Sequence, residues 1–370
     1  MLGMALVDRV LLGPGPSNPY PEATAALAAP LLGHLDPEFL RVLDETCARL
    51  RTVWATENAR TLPLSGTGSI GMEAAFANFV RPGDTVVVGV NGLFGERMVD
   101  VAGRYGAEVV RVDHEWGQPI DVERMLAAHP APKLVGAVHA ETSTGVRSDI
   151  AALAEAVHAR DDHALVLADC VTSLAGIVVE IDAWGVDIAY SGSQKCLGVA
   201  PGLAPFTVSP RAWERRTEHP PTWYLDLNLI GAYVNTTAGS GGRTYHHTAP
   251  VAMIASLHAA LGRVLDEGLD AVWERHRAVG QRLQDGLVDL GLDLFAAEGH
   301  RLPELTTVRV PDGVDSAKVR SILLNEYNIE IGAGAGAFAT SVWRIGLMGH
   351  NARLDRVELV LSALARVLGR

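Results

Sequence analysis

The chain has 370 residues, 48% of them hydrophobic and 20% charged, with a formal net charge of −12; these are proportions of a globular enzyme, which exclude a disordered or fibrous chain and argue against a nucleic-acid footprint built on clustered Lys and Arg. Its three cysteines, Cys47, Cys170 and Cys196, lie far apart with no CxxC pair, so neither a disulfide scaffold nor a zinc site is expected and a reducing cytoplasm fits. The apolar start is broken at Asp8 and Arg9, no uncharged run reaches membrane-spanning length, and the C-terminus carries no peroxisomal or retention address, so no membrane partner is expected.

In chain order, residues 11–19 are too rich in Pro and Gly for helix or strand and read as an ordered arm or a series of turns. Asp36 and Pro37 then supply an N-cap and a first-turn proline, and Phe39, Leu40, Leu43, Leu50 and Trp54 recur near helical spacing, which predicts an amphipathic helix over 38–54. From Thr61 short β-rich runs alternate with helical patterns, as βαβ units of a mostly parallel sheet do. The pattern predicts seven strands near 61–65, 85–90, 108–112, 134–140, 164–170, 188–193 and 203–209. The last two are joined by about ten residues, too few for a helical crossover, so that pair is expected to be antiparallel. An irregular stretch over 211–247 follows, then helical patterns over 251–290, strands near 305–310, 329–331 and 342–347, and helices over 316–327 and 354–368. This is an α/β chain divided into an arm (1–20), a large domain (21–260) and a smaller C-terminal α+β domain (261–370).

Lys195 follows the small polar residues Ser191-Gly192-Ser193-Gln194 at a strand end, where α/β sheets hold their ligands. Ser65-Gly66-Thr67-Gly68-Ser69-Ile70-Gly71 opens a helical pattern, so its N–H groups and hydroxyls suit an anion, most often a phosphate. It also spells GxGxxG, but the next strand lacks the acid that a dinucleotide ribose needs. Asp169 ends another apolar strand, and a lone buried carboxylate there requires a cation or donors. His139-Ala140-Glu141-Thr142-Ser143-Thr144-Gly145 brings hydroxyls to the same edge; its His-x-Glu lacks the cysteine pair of a zinc deaminase. Tyr245-His246-His247-Thr248 has no third metal ligand at a set spacing. Arg344 interrupts an apolar strand and requires a carboxylate, which a substrate can provide. Each feature has an ordinary alternative: a solvated lysine, a tight turn, a turn-capping aspartate. One chemistry uses them all, that of pyridoxal 5'-phosphate, which needs a lysine to bond its aldehyde, an acid for its ring nitrogen and a helix N-terminus for its phosphate.

The ordered motifs GPGPSNP (13–19), SGTGS (65–69), NGLFGER (91–97), ETSTG (141–145), ADCVTSLAG (168–176), SGSQK (191–195), YHHT (245–248) and RIGLMG (344–349) resemble those of the class V aminotransferases, and within them the alanine–glyoxylate and serine–pyruvate branch. The resemblance implies a fold type I transferase, with the large domain binding pyridoxal phosphate. It implies that Lys195 bonds the cofactor and carries the proton, Asp169 pairs with the ring nitrogen, Gln194 faces the phenolic oxygen side, and Ser143 contacts the cofactor. Thr67, Gly68 and Ser69 would hold the phosphate, Tyr245 and Thr248 would reach it across a homodimer, and Arg344 would bind the substrate carboxylate. Two positions depart from relatives: Phe94 stands where a stacking tryptophan is frequent, and Ser69 where some have histidine. The activity so implied is ping-pong transfer of an amino group from a small amino acid, alanine or serine, to a small 2-oxo acid, glyoxylate. The alternatives are a different donor such as ureidoglycine, a nicotinamide-dependent oxidoreductase, or a silent binding module. A cysteine desulfurase is excluded because no cysteine follows Cys196.

Overall fold

The runs Thr85–Val90 and Leu165–Asp169 are apolar at successive positions, the pattern of strands covered on both faces, and they lie inside a seven-stranded sheet. The structure, a computed structural model, describes residues 7–234 and 243–370. The sheet runs in the order Arg60–Ser65, Leu203–Val208, Ile188–Tyr190, Leu165–Asp169, Leu134–Val138, Thr85–Val90, Glu108–Asp113. Leu203–Val208 is antiparallel to both neighbours, as its short connection requires, and the other pairs are parallel. Val86 to Val88 and Leu165 to Ala168 have no exposed surface, so layers of helices and loops close over both faces of the sheet.

Three strands stop sooner than the apolar runs suggest. Leu165–Asp169 ends before Cys170, Ile188–Tyr190 ends before Ser191, and Leu134–Val138 stops short of Ala140, which joins a separate two-residue hairpin with Arg147. At each point the chain leaves the ladder to form the loops of one sheet edge, a choice made by tertiary partners that local apolarity does not record. The helical run over 251–290 is likewise two helices, Val251–Glu267 and Leu269–Asp289, broken at Gly268, where φ is +86°.

A second apolar cluster begins on the Leu269–Asp289 helix with Val279, Leu283 and Leu287 and adds Leu323, Trp343, Ile345 and Leu364. It packs around a three-stranded sheet ordered Leu305–Arg309, Val342–Gly346, Gly332–Ala333. The N-terminal arm is not wholly irregular: Val10–Leu11 pairs in parallel with Ile329–Glu330, and Leu12 O accepts from Gly346 N at 2.8 Å. Further along, Ser17 N donates to Gln194 O at 3.0 Å and Ser17 Oγ to Lys195 O at 3.0 Å. The arm therefore ties the smaller sheet to the loop that carries Lys195.

Candidate active site

The Lys195 loop is fixed by its own backbone. Ser191 N donates to Pro205 O at 2.8 Å and Ser193 N to Leu203 O at 2.9 Å, while Ser193 Oγ donates to Ala200 O at 2.8 Å. Lys195 is only 7% exposed, and its Nζ donates to Pro14 O of the arm. Gly15 lies against it with φ +107°, a backbone conformation that favours glycine. Burial and the positive charge of Arg344 pull the lysine down to about 8. That leaves a substantial neutral, nucleophilic fraction near neutral pH.

Asp169 is the last residue of its strand and 2% exposed. Its Oδ1 accepts from Val171 N at 2.9 Å and its Oδ2 from Tyr190 Oη at 2.8 Å. Burial raises the carboxyl to about 6, against the pull of those two donors, Lys195 and Arg97. A cationic ring nitrogen is the kind of partner that would restore its charge fully.

Lys195 and Asp169 line one cavity of about 210 Å³ together with Thr67, Gly68, Ser69, Phe94, Arg97, Tyr190 and Gln194. Thr67 is the N-cap of the Gly68–Phe79 helix, and its side chain makes no capping bond; Ile70 N donates to Thr67 O at 2.8 Å, which leaves the Gly68 and Ser69 N–H groups to meet an anion. A Cβ on Gly68 would sit 2.6 Å from Val171 Cγ2, so the turn packs against the Asp169 loop only as glycine. Gln194 Oε1 is buried without a partner among the described residues. A reactive lysine, a buried acid, an open helix N-terminus and an unspent amide beside a ring-sized cavity fit pyridoxal phosphate.

The remaining sequence candidates stand outside that lining. Ser143 Oγ donates to Glu141 Oε1 at 2.5 Å and accepts from Leu93 N at 2.8 Å, so it braces the helix that carries Phe94. Arg344 is half-buried; its Nε donates to Ala333 O at 2.6 Å and its Nη1 to Thr142 O at 3.4 Å, with its charge felt at Lys195. Tyr245 is 54% exposed and its Oη lies 3.3 Å from Thr248 Oγ1, and neither residue lines the cavity. His246 and His247 hold each other, with Nδ1 atoms 2.7 Å apart, and His247 Nε2 lies 3.2 Å from Ser65 Oγ. Among the described residues no cluster of His, Cys, Asp or Glu is arranged for a metal, and no helix is long and apolar enough to cross a membrane.

Three site residues are not singled out by sequence reasoning. Tyr190 reads as the end of a strand, and its hydrogen bond to Asp169 crosses between adjacent parallel strands in a register that only pairing fixes. Glu141 is fully buried and accepts from Phe94 N at 3.0 Å and Gly95 N at 3.3 Å as well as from Ser143. Arg97 faces the cavity from the same helix; its place in NGLFGER is the one signal for it.

The aminotransferase class-V family model matches residues 20–355. An alanine–glyoxylate aminotransferase of Drosophila melanogaster is 40% identical over 96% of this chain and 91% of its own. A (S)-ureidoglycine–glyoxylate transaminase of Bacillus subtilis is 35% identical over 98% of this chain and 91% of its own. The crystal structure of an alanine–glyoxylate aminotransferase from Nostoc sp. superposes with a TM-score of 0.95 at 47% identity, covering 100% of this chain and 97% of the other. With the cavity's residues and these likenesses in agreement along nearly its whole length, the chain belongs to the class-V aminotransferases, transaminases that work with pyridoxal phosphate.

Proposed function

We propose that this enzyme moves an amino group from alanine or serine to glyoxylate by a ping-pong cycle. The observation that carries the reading is the cavity of about 210 Å³ that brings Lys195 and Asp169 together, with Pro14 O at the lysine amine. The names of the 40% and 47% identical relatives support the same donor and acceptor. Pyridoxal phosphate supplies, when bound, the electron sink that makes the substrate's α-hydrogen acidic.

In this proposal Lys195 is the covalent attachment point and, once displaced by the incoming amine, the base and acid that moves the proton. Its depressed pKa allows both roles near neutrality. Asp169, held by Val171 N and Tyr190 Oη, would keep the ring nitrogen protonated. Phe94 would pack on the ring face, Gln194 would lie on the phenolic-oxygen side, where its amide N–H can donate, and Thr67, Gly68 and Ser69 would take the phosphate. Arg344 would receive the substrate carboxylate in a charge-assisted pair, and Ser143 would contact the cofactor beside the helix it braces. The exposed Tyr245 and Thr248 serve the cavity of a second subunit, so the working unit is a homodimer; a fully active, cofactor-retaining monomer in sedimentation would overturn this part. The chain is divided in this proposal into an arm (1–20), a large cofactor-binding domain (21–260) and a smaller C-terminal domain (261–370). Free, buried Cys47, Cys170 and Cys196 support a cytoplasmic setting.

A ureidoglycine donor is the second reading, favoured by the 35% identical relative of that name. Single-turnover half-reactions with alanine, serine and ureidoglycine, followed by glyoxylate and pyruvate, decide between them. Fastest turnover with alanine or serine is the expected result; a clear preference for ureidoglycine would replace this proposal.

A further inference from the structure

A phosphate monoester brings about −1.5 to −2 charges at neutral pH, whereas a helix N-terminus offsets about half a charge. Lys195 is committed to covalent attachment, and Asp169 has the wrong sign. Among the described residues that line the cavity, Arg97 is the remaining cation.

Its geometry suits the task. Arg97 Nη1 donates to Ser69 Oγ at 3.1 Å, which fills an acceptor position of that hydroxyl and leaves its O–H free to donate toward a ligand. The guanidinium carbon lies 4.9 Å from the centre of the Phe94 ring, so the flat face is supported and the edge N–H groups remain open. Among the described residues Arg97 forms no ion pair that would compete. Its helix, Leu93–Arg104, is itself unavailable to the anion, because Leu93 N is taken by Ser143 Oγ and Phe94 N and Gly95 N by Glu141 Oε2. Those bonds fix the first turn and so aim Arg97, one turn further on, at the SGTGS turn. The short Ser69 side chain, where some relatives have histidine, leaves the guanidinium room to reach in.

We infer that Arg97 is a phosphate-binding residue of the cofactor site, its guanidinium completing the Thr67–Ser69 turn with the charge that turn lacks. This rests on the assignment of the cavity to pyridoxal phosphate.

The test compares full-length wild type, Arg97→Gln and Arg97→Lys, each freed of cofactor and checked by circular dichroism, in their equilibrium affinity for pyridoxal phosphate and for pyridoxal, which lacks the phosphate. Loss of a charge-assisted pair should weaken pyridoxal phosphate by about 10-fold or more in Arg97→Gln, with pyridoxal unchanged within about 2-fold. Arg97→Lys should recover part of the loss. Equal weakening of both ligands would mean that Arg97 acts only through Phe94, and no weakening of either would mean that it has no role in binding; either result overturns the inference. If wild type itself fails to prefer the phosphorylated form, the phosphate turn and the function built on it fail together. If wild type prefers it and Arg97→Gln keeps that preference, the inference about Arg97 fails alone.

Discussion

Replacing Tyr190 by Phe removes one hydroxyl from a fully buried site and leaves the ring volume unchanged. That hydroxyl donates to Asp169 Oδ2 at 2.8 Å and is one of the groups that hold the aspartate down against the upward push of burial. A hydrogen bond to a charged group is worth about 1.5–3 kcal/mol, and one pKa unit corresponds to about 1.36 kcal/mol, so Asp169 should rise by about 1–2 units from its value near 6. The sign follows from the role of the group. The working form is the carboxylate, so the acid limb of the alanine half-reaction should move to higher pH, by less than that 1–2 units, approximately, where the cationic ring nitrogen also holds the charge. The stability linkage runs the same way: a carboxyl raised on folding stabilises the fold below its unfolded pKa and loses that contribution as pH rises through about 6. The variant should therefore be destabilised more at pH 8 than at pH 5. Rapid-mixing half-reactions across that pH range, with thermal unfolding of the cofactor-free protein beside them, read both effects. An acid limb identical to wild type would refute the idea that Tyr190 tunes Asp169.

Arg344→Ala should raise KM for alanine and for glyoxylate by about 10-fold or more while kcat falls less; steady-state kinetics with unchanged KM would remove Arg344 from the substrate site. Glu304 is fully buried with neither carboxyl oxygen partnered among the described residues, and burial pushes it to about 8 from 4.5. Because that pKa is raised, folding stability should fall by about 1.4 kcal/mol per pH unit at most between those two values, the unfolded chain being ionised first. Glu304→Gln should flatten the decline of Tm with pH, and parallel curves for the two proteins would show that Glu304 is neutralised some other way.

The apolar runs at Thr85–Val90 and Leu165–Asp169 made the parallel sheet legible, because strands buried on both faces have little polar alternation to hide them. Lys195, Asp169 and the SGTGS turn were legible for a related reason: each sits where an apolar run stops. What the sequence concealed depends on register. Tyr190 lies opposite Asp169 in a ladder that no local pattern specifies, and the Val10–Leu11 strand exists only because Ile329–Glu330 comes to meet it. Ser143 was reached through the family motif alone, and its hydrogen bonds to Leu93 N and Glu141 are a further role that no motif records. Tyr245 and Thr248 do not line the cavity, and no local pattern shows whether their partner lies within the chain or outside it.

The central claim is that Lys195 carries the cofactor in a site shared with Asp169. Borohydride reduction of the enzyme loaded with pyridoxal phosphate, followed by proteolysis and peptide mass mapping, addresses it directly. The account predicts a single stoichiometric adduct on Lys195, absent after Lys195→Ala. An adduct on another lysine, or none, would contradict it.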